Sequence, residues 1–172
     1  MFPRPSILPR MLGFAAVALA AVVMAPVAYA HFTGYDSVDD CEIRWEDNTK
    51  YDTERIAAQD LWESLMVNNC VDLEPDTWNT IADLEWRDAN VQNGWPGWWQ
   101  RRIGADYIYM NSAYLDDWGL CRRKNTAMHE LGHAHGFDDH TISGNVMYHA
   151  NANHCSLGSH DRDDYDSLWG DS

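Results

Sequence analysis

The twelve residues from 129 to 140, HELGHAHGFDDH, constrain the fold of this chain more than any other stretch. His129 and His133 are four positions apart, so on a helix their rings project from one face and can share a metal ion. Gly136 is expected to end that helix, because glycine enters the left-handed conformation without the steric cost that other residues meet. The stretch therefore predicts a helix, a reversal of the chain and a further ligand from outside the helix.

The same stretch contains the groups that metal-assisted hydrolysis needs. Glu130 follows the first histidine and can take a proton from water activated at the metal. Two histidines and one further ligand leave the fourth tetrahedral position of zinc open for that water. Asp139 and His140 are the two candidates for the third ligand, whereas His135 points off the ligand face and is expected at the surface or behind the ligands. The alternative is a chance His-Glu-x-x-His pattern on an ordinary core helix.

The first thirty residues have the features of a secretory signal peptide. A basic start at Arg4 and Arg10 precedes an apolar run over 11–24, and small residues over 28–30 form a cleavage site. The run is too short to span a bilayer. We therefore expect cleavage after residue 30 and one compact domain over 31–172.

The chain is strongly acidic, with a formal net charge of −15. Such a surface repels the phosphates of nucleic acids and of anionic lipids, so neither is expected as a partner. The many carboxylates could hold calcium, but the sequence has no Asp-x-Asp-x-Asp-Gly loop. Calcium is therefore a possible cofactor without an assigned position.

Four cysteines follow the leader, and an even number in an exported chain predicts two disulfides. Three pairings are possible, and the local one is favoured: Cys41–Cys70 and Cys121–Cys155. No two cysteines have the Cys-x-x-Cys spacing of a thiolate zinc site or a redox motif. The cysteines are therefore interpreted as structural.

The hydrophobic pattern predicts an α+β domain. Alternation of apolar and polar residues indicates strands, and apolar residues three or four apart indicate helices. Strands are predicted over 41–47, 81–89 and 105–115, and helices over 52–66, 123–136 and 159–170. Asp52 and Thr53 are candidate caps of the first helix. The segment 93–102, which carries three tryptophans, is interpreted as a turn-rich loop.

The motif resembles the metzincin signature His-Glu-x-x-His-x-x-Gly-x-x-His with its methionine turn, most closely in the matrixin branch. Met147 lies eighteen residues after His129, as in matrixins, and the resemblance makes it a hydrophobic floor under zinc. The C-terminal LGSHDRDDYDSLWG is similar to the matrixin C-terminal helix. The segment 105–115 resembles the edge strand along which that family binds substrate. The resemblance implies a metzincin-like single domain with a small twisted mixed sheet, an active-site helix and a C-terminal helix.

Asp139 stands where the metzincin signature has its third histidine. This departure resembles snapalysin, a family of small secreted metzincins in which aspartate is the third zinc ligand and histidine follows it, as His140 does here. Carboxylate oxygen binds zinc at about 2.0–2.2 Å, so the exchange is chemically adequate. The resemblance implies His129, His133 and Asp139 as zinc ligands, with Glu130 as general base. His140 is the alternative third ligand if the loop is shifted by one residue.

These features predict a secreted, zinc-dependent endopeptidase, with 31–172 as its catalytic domain. Protein or peptide substrates, a monomeric state and no membrane association after leader cleavage are expected. An alternative is a non-catalytic extracellular binding domain on a metzincin scaffold, although the intact Glu130 argues against it. A third hypothesis is copper chelation by the amine and ring of His31 after cleavage, but the chain has too few strands for the β-sandwich of such enzymes.

Several other residues have two interpretations. Trp95, Trp98 and Trp99 are expected to cover the core, with the rim of a substrate cleft as the alternative. Tyr148 is expected to pack beside the methionine turn, with donation to an oxyanion as the alternative.

Four acids of the last helix are expected on a solvated face: Asp161, Asp163, Asp164 and Asp166. For the first of them, the matrixin resemblance also implies an ion pair with the amine of His31. His149, His154 and His160 are expected in solvent, with a second structural metal site as the alternative.

Overall fold

The computed structural model describes residues 31–65, 71–150 and 152–170 of the chain. It confirms an α+β fold with one mixed sheet and four helices. The strands are β1 Glu42–Asn48, β2 Asp72–Pro75, β3 Leu84–Ala89, β4 Gly97–Gln100 and β5 Asp106–Asn111. The helices are α1 Asp52–Glu63, α2 Ser112–Leu115, α3 Leu120–Ala134 and α4 Ser159–Trp169.

The sheet has the strand order β2-β1-β3-β5-β4. Its first four strands are parallel, while β4 runs antiparallel to β5 and forms an edge. The strand predicted over 105–115 is therefore not an edge, because β5 is paired on both sides. That strand also ends earlier than predicted, since Asn111 accepts a hydrogen bond from Ala113 N at 3.3 Å and begins α2.

The turn-rich loop predicted over 93–102 contains the strand β4, so that prediction was wrong in part. The strand lies directly against α3: a Cβ at Gly97 would be 2.6 Å from Cγ2 of Thr126 and 3.0 Å from Cγ of Glu130. Glycine at this position lets the edge strand approach the helix. A four-residue strand of two tryptophans between glycine and glutamine has no alternation long enough to be detected.

The core joins α1 to α3. The ring of Trp62 is fully buried and its indole N–H donates to the carbonyl of Met128 at 2.9 Å. The same ring stacks on His135 and Phe137, with centroids 5.3 Å apart in both pairs. The N-terminus of α1 differs from its prediction, because Tyr51 takes the cap position without a side-chain hydrogen bond and Asp52 is the first helical residue.

The predicted end of the motif helix is confirmed. Gly136 has φ of +96°, and Phe137 N returns to the carbonyl of Gly132 at 3.1 Å. These are the conformation and the hydrogen bond of a glycine-terminated helix. The chain therefore reverses directly after α3.

A disulfide joins Cys121 at the start of α3 to Cys155, as predicted. The other predicted disulfide stays a prediction, because Cys70 lies outside the described residues. The predicted leader over 1–30 lies outside them as well. In the described ranges, no helix is both long and apolar enough to cross a bilayer.

Candidate metal centre and active site

The helix α3 presents His129 and His133 on one face, one turn apart, with ring centroids at 4.7 Å. Nδ1 of His129 lies 2.9 Å from the carbonyl of Val146, and Nδ1 of His133 lies 2.8 Å from the carbonyl of Phe137. A neutral ring that donates from Nδ1 keeps the lone pair of Nε2 free for a metal ion. Backbone carbonyls therefore orient both rings as ligands.

Asp139 completes this group from the loop after Gly136. Its Oδ1 lies 3.1 Å from Nε2 of His129 and 3.8 Å from Nε2 of His133. One donor atom from each of the three residues falls within 4.8 Å of the others. His140 does not join them, because its ring is buried and its Nε2 lies 3.8 Å from Asp161 instead. We call His129, His133 and Asp139 the cleft cluster.

The electrostatics of the cleft cluster favour a cation. Burial lowers the pKa of His129, but Asp139 and Glu130 outweigh it and raise the value to about 9. The hydrogen bond from His129 lowers the pKa of Asp139. A positive charge between these groups is therefore stabilised, and a divalent metal ion would satisfy the same carboxylate and nitrogens.

Glu130 faces the same cavity from the neighbouring position on α3. It is 6% exposed, and its Oε2 accepts a hydrogen bond from the backbone N–H of Trp99 at 2.8 Å. Within the described part of the chain, Oε1 has no hydrogen bond. The carboxylate is thus held against the edge strand with one oxygen available to a water or substrate molecule.

Met147 lies under the cleft cluster. It is buried, and a Cβ at Gly132 would be only 2.2 Å from its sulfur. The glycine inside the motif therefore makes room for the methionine directly beneath the helix. The sequence motif contains this glycine, but only the packing shows why it is needed.

Asp161 supports the methionine turn, which corrects two predictions. Its carboxylate is 1% exposed and accepts hydrogen bonds from Val146 N at 2.7 Å, Met147 N at 3.1 Å and Gly158 N at 2.8 Å. It is therefore not on a solvated face, while its ion pair with the amine of His31 stays a prediction, because that amine exists only after leader cleavage. Asp164 is buried too, at 2% exposed, because α4 packs this side against the turn.

The cavity beside the cleft cluster has a volume of about 170 Å³. Trp95, Trp98 and Trp99 all line it, as the cleft-rim interpretation predicts, and the expected core cover holds for Trp99. Trp95 is 63% exposed, whereas Trp99 also packs on the core and donates from its indole N–H to Ser37 at 3.0 Å. The sequence could not show this, because the position of the segment depends on β4.

His149 also lines the cavity, and sequence reasoning missed this. It is exposed, as expected, and its backbone N–H donates to the carbonyl of His140 at 2.9 Å. Tyr148 is half-buried, stacks beside the ring of His149 at 4.6 Å and is not among the residues that line the cavity.

Two other histidines differ from their predictions. His135 is fully buried rather than at the surface, because it stacks in the aromatic core and its Nδ1 bonds to the carbonyl of Leu131 at 2.8 Å. The side chain of His160 is only 12% exposed and lies beside Asp164. His154 is half-buried.

Comparisons with known proteins define the class of the fold. No protein-family profile matches the chain, and no curated protein is similar to it in sequence. A solved structure of myroilysin matches with a TM-score of 0.58 and 8% identity, over 83% of this chain and 99% of that one. The chain therefore has a metzincin-like, metalloprotease-type fold. The likeness does not extend to the finer matrixin or snapalysin resemblance.

Proposed function

We propose that this protein is a secreted zinc-dependent endopeptidase, with 31–172 as its catalytic domain. The observation that carries the proposal is the cleft cluster itself. His129, His133 and Asp139 converge beside Glu130 in a cavity that opens along an edge strand. This combination is the one that metal-assisted hydrolysis of a peptide requires.

The donor set fits zinc. Two imidazole Nε2 atoms and one carboxylate oxygen are ligands that zinc accepts in tetrahedral sites, and a fourth position stays open. His129, His133 and Asp139 would hold the ion, with both rings oriented by backbone carbonyls. Zinc bound there would polarise the scissile carbonyl and lower the pKa of water to about 7.

Glu130 would act as the general base. The N–H of Trp99 fixes Oε2, which leaves Oε1 to take a proton from the attacking water. The same carboxyl group can then pass the proton to the departing amine. The edge strand thus positions the base and borders the cleft at once.

The substrate would bind as an extended peptide along β4 rather than along β5. β4 is the edge of the sheet, and its residues Gly97, Trp98 and Trp99 line the cavity. An added strand at such an edge gains backbone hydrogen bonds. The tryptophans would supply apolar contacts to its side chains.

The leader predicted over 1–30 supports export. The disulfide between Cys121 and Cys155 is compatible with an extracellular location, because such bonds persist in oxidising compartments.

The test is hydrolysis of casein by the purified protein, beside Glu130→Gln and a chelator control. We expect Glu130→Gln to bind zinc at the normal stoichiometry while losing about 10²–10⁴-fold in activity. Chelation should abolish turnover, and added zinc should restore it. Full activity in Glu130→Gln would refute the mechanism, and an inactive protein with stoichiometric zinc would favour a non-catalytic binding domain.

A further inference from the structure

A second group of metal-type donors lies outside the cleft cluster, and the proposed peptidase reaction does not use it. It contains His31 at the start of the described chain and His160 and Asp164 on α4. Nε2 of His160 lies 3.4 Å from Nδ1 of His31 and 3.6 Å from Oδ2 of Asp164. One donor atom from each residue falls within 4.8 Å of the others.

The carboxylate of Asp164 is buried without the hydrogen bonds that such a group needs. It is 2% exposed, and neither oxygen has a hydrogen-bond partner of normal geometry within the described residues. Burial raises the pKa of Asp164, and the imidazole of His160 and the backbone N–H of His31 offset this only in part. A buried carboxylate is expected to be paired or to coordinate a metal ion.

A third imidazole, that of His140, lies beside this group, although its nitrogens are not among the donors that fall within 4.8 Å of one another. Its ring centroid lies 4.7 Å from that of His160 and 5.8 Å from that of His31. Its Nε2 is buried and has no hydrogen-bond partner in the described ranges. We call His31, His140, His160 and Asp164 the terminal cluster.

The spacing of the donors fits a tetrahedral metal ion. With metal–ligand bonds of about 2.0–2.1 Å, the ligand atoms of tetrahedral zinc lie about 3.3–3.4 Å apart. The two short separations in the terminal cluster, 3.4 Å and 3.6 Å, are close to this value. Imidazole nitrogens with a single carboxylate favour zinc or copper over calcium and magnesium, which prefer oxygen ligands.

We propose that the terminal cluster is a second, structural site for a divalent transition metal of the zinc or copper class. His31, His160 and Asp164 supply three donors, and the ring of His140 lies beside them. The bound ion joins the N-terminal segment to α4.

The ring contacts of His140 with His160 and His31 connect this site to the loop of Asp139, because Asp139 is the preceding residue. His140 N donates to the carbonyl of Met147 at 3.0 Å, so the loop and the methionine turn are fastened together. The second ion therefore stabilises the support of the cleft without contacting substrate.

The first experiment counts metal ions per chain. The purified protein, with its first residue determined by mass spectrometry, is stripped by chelation, loaded with Zn²⁺, separated by gel filtration and analysed for metal. We expect two equivalents in the wild type and one in His160→Gln or Asp164→Asn. The double variant His129→Gln/His133→Gln should also keep one, and His154→Gln, the matched control, should keep two.

These variants separate the two proposals. Loss of the second equivalent in His160→Gln supports the terminal site whether or not the protein cleaves casein. If the wild type binds one equivalent and His160→Gln also binds one, the terminal site is refuted. The peptidase proposal is then unaffected. Two equivalents in both proteins would also overturn it, because the second ion would then bind elsewhere.

A second measurement tests the proposal if the His160→Gln variant does not fold. In the folded His129→Gln/His133→Gln protein, Zn²⁺ should protect His31 and His160 from diethyl pyrocarbonate, as read by mass spectrometry. Cu²⁺ in the same protein should give an electron paramagnetic resonance spectrum with nitrogen couplings. Equal modification with and without Zn²⁺, or a spectrum without nitrogen couplings, would contradict the proposal.

Discussion

Two clusters of this molecule, each with at least two imidazoles and one carboxylate, sit in contrasting surroundings. The cleft cluster comes from eleven consecutive positions, 129–139, and the side chains of His129, His133 and Asp139 are 17%, 17% and 45% exposed. The terminal cluster joins positions 129 residues apart, and its carboxylate is almost fully buried. The accessible carboxylate of the cleft cluster leaves room for water and substrate, whereas the carboxylate of the terminal cluster is shielded from solvent.

The clusters also differ in how their rings are held. In the cleft cluster, backbone carbonyls bind both Nδ1 atoms, so the ligand geometry exists before a metal arrives. In the terminal cluster, Nδ1 of His31 lies 3.4 Å from Nε2 of His160, so one imidazole there is held by another. The backbone therefore preorganises the rings of the cleft cluster, whereas His31 and His160 are held by contact with each other.

The largest expected effect is the loss of activity and metal on replacing Asp139, which should not follow from replacing the neighbouring His140. Asp139→Ala should lower peptidase activity by about a hundredfold or more and remove the metal of the cleft cluster, because a direct ligand matters at least as much as its supporting groups. His140→Gln should keep the metal of the cleft cluster, since its ring points to the terminal cluster. Activity and metal content measured in parallel decide this, and the reverse pattern would mean that His140 is the third ligand.

The next effect concerns Asp161, which links the two clusters through the methionine turn. Asp161→Asn replaces one acceptor oxygen by a donor that faces backbone N–H groups, which should cost about 3 kcal/mol of unfolding free energy. Urea unfolding in the presence of chelator measures this cost without metal effects. The matched control is Asp163→Asn, an exposed residue of the same helix, and equal loss in both variants would argue against the buried role.

A smaller effect is expected from His135, a buried histidine outside both clusters. Burial lowers its pKa to about 4, although the hydrogen bond to the carbonyl of Leu131 acts in the opposite direction and raises the pKa. The unfolded chain, with a pKa near 6.5, therefore binds the extra proton first, and stability falls as the pH drops from about 6.5 towards 4.

His135→Phe should remove this dependence. Relative to the variant, the wild type should lose about 2 kcal/mol between pH 7 and pH 5. Chemical unfolding of the chelated proteins at both pH values gives the difference, in which the titration of the two clusters cancels. Parallel curves for the two proteins would show that the ring is not buried in its neutral form.

The smallest effect is expected at the rim of the cleft. Trp95→Ala should raise KM for casein a few-fold and change the unfolding free energy by less than about 0.5 kcal/mol, because the side chain is mostly exposed. Trp78→Ala is the matched control, since Trp78 is 97% exposed and does not line the cavity. An equal change of KM in both variants would remove the rim from substrate binding.

Most of the fold elements were predictable because their signals are local. The strands β1, β3 and β5 alternate, and α1, α3 and α4 have helical spacing, so each element follows from neighbouring residues. The short strands β2 and β4 were missed because four residues carry too little pattern. Their pairing depends on partners elsewhere in the chain, such as Thr126 beside Gly97.

The sequence by itself determined most of the cleft cluster, while the choice of Asp139 over His140 came from the structure. His129 and His133 share a helix face by periodicity, and Gly136 reverses the chain directly after the helix. Asp139, three residues later, therefore lies close to both histidines. The assignment of these residues as zinc ligands stays a prediction. The geometry that it requires is nevertheless set within one short stretch, which is why a motif could reveal it.

Only the tertiary structure decided the terminal cluster, the buried position of Asp161 and the tryptophan rim. Asp161 and Asp163 look alike in sequence, yet one is buried under the methionine turn and the other is exposed. Which of the two side chains is buried depends on how α4 packs, and no local sequence pattern encodes that packing. Short-range periodicity fixes which side chains share an element, whereas contacts between remote segments determine which of them lose water and require a partner.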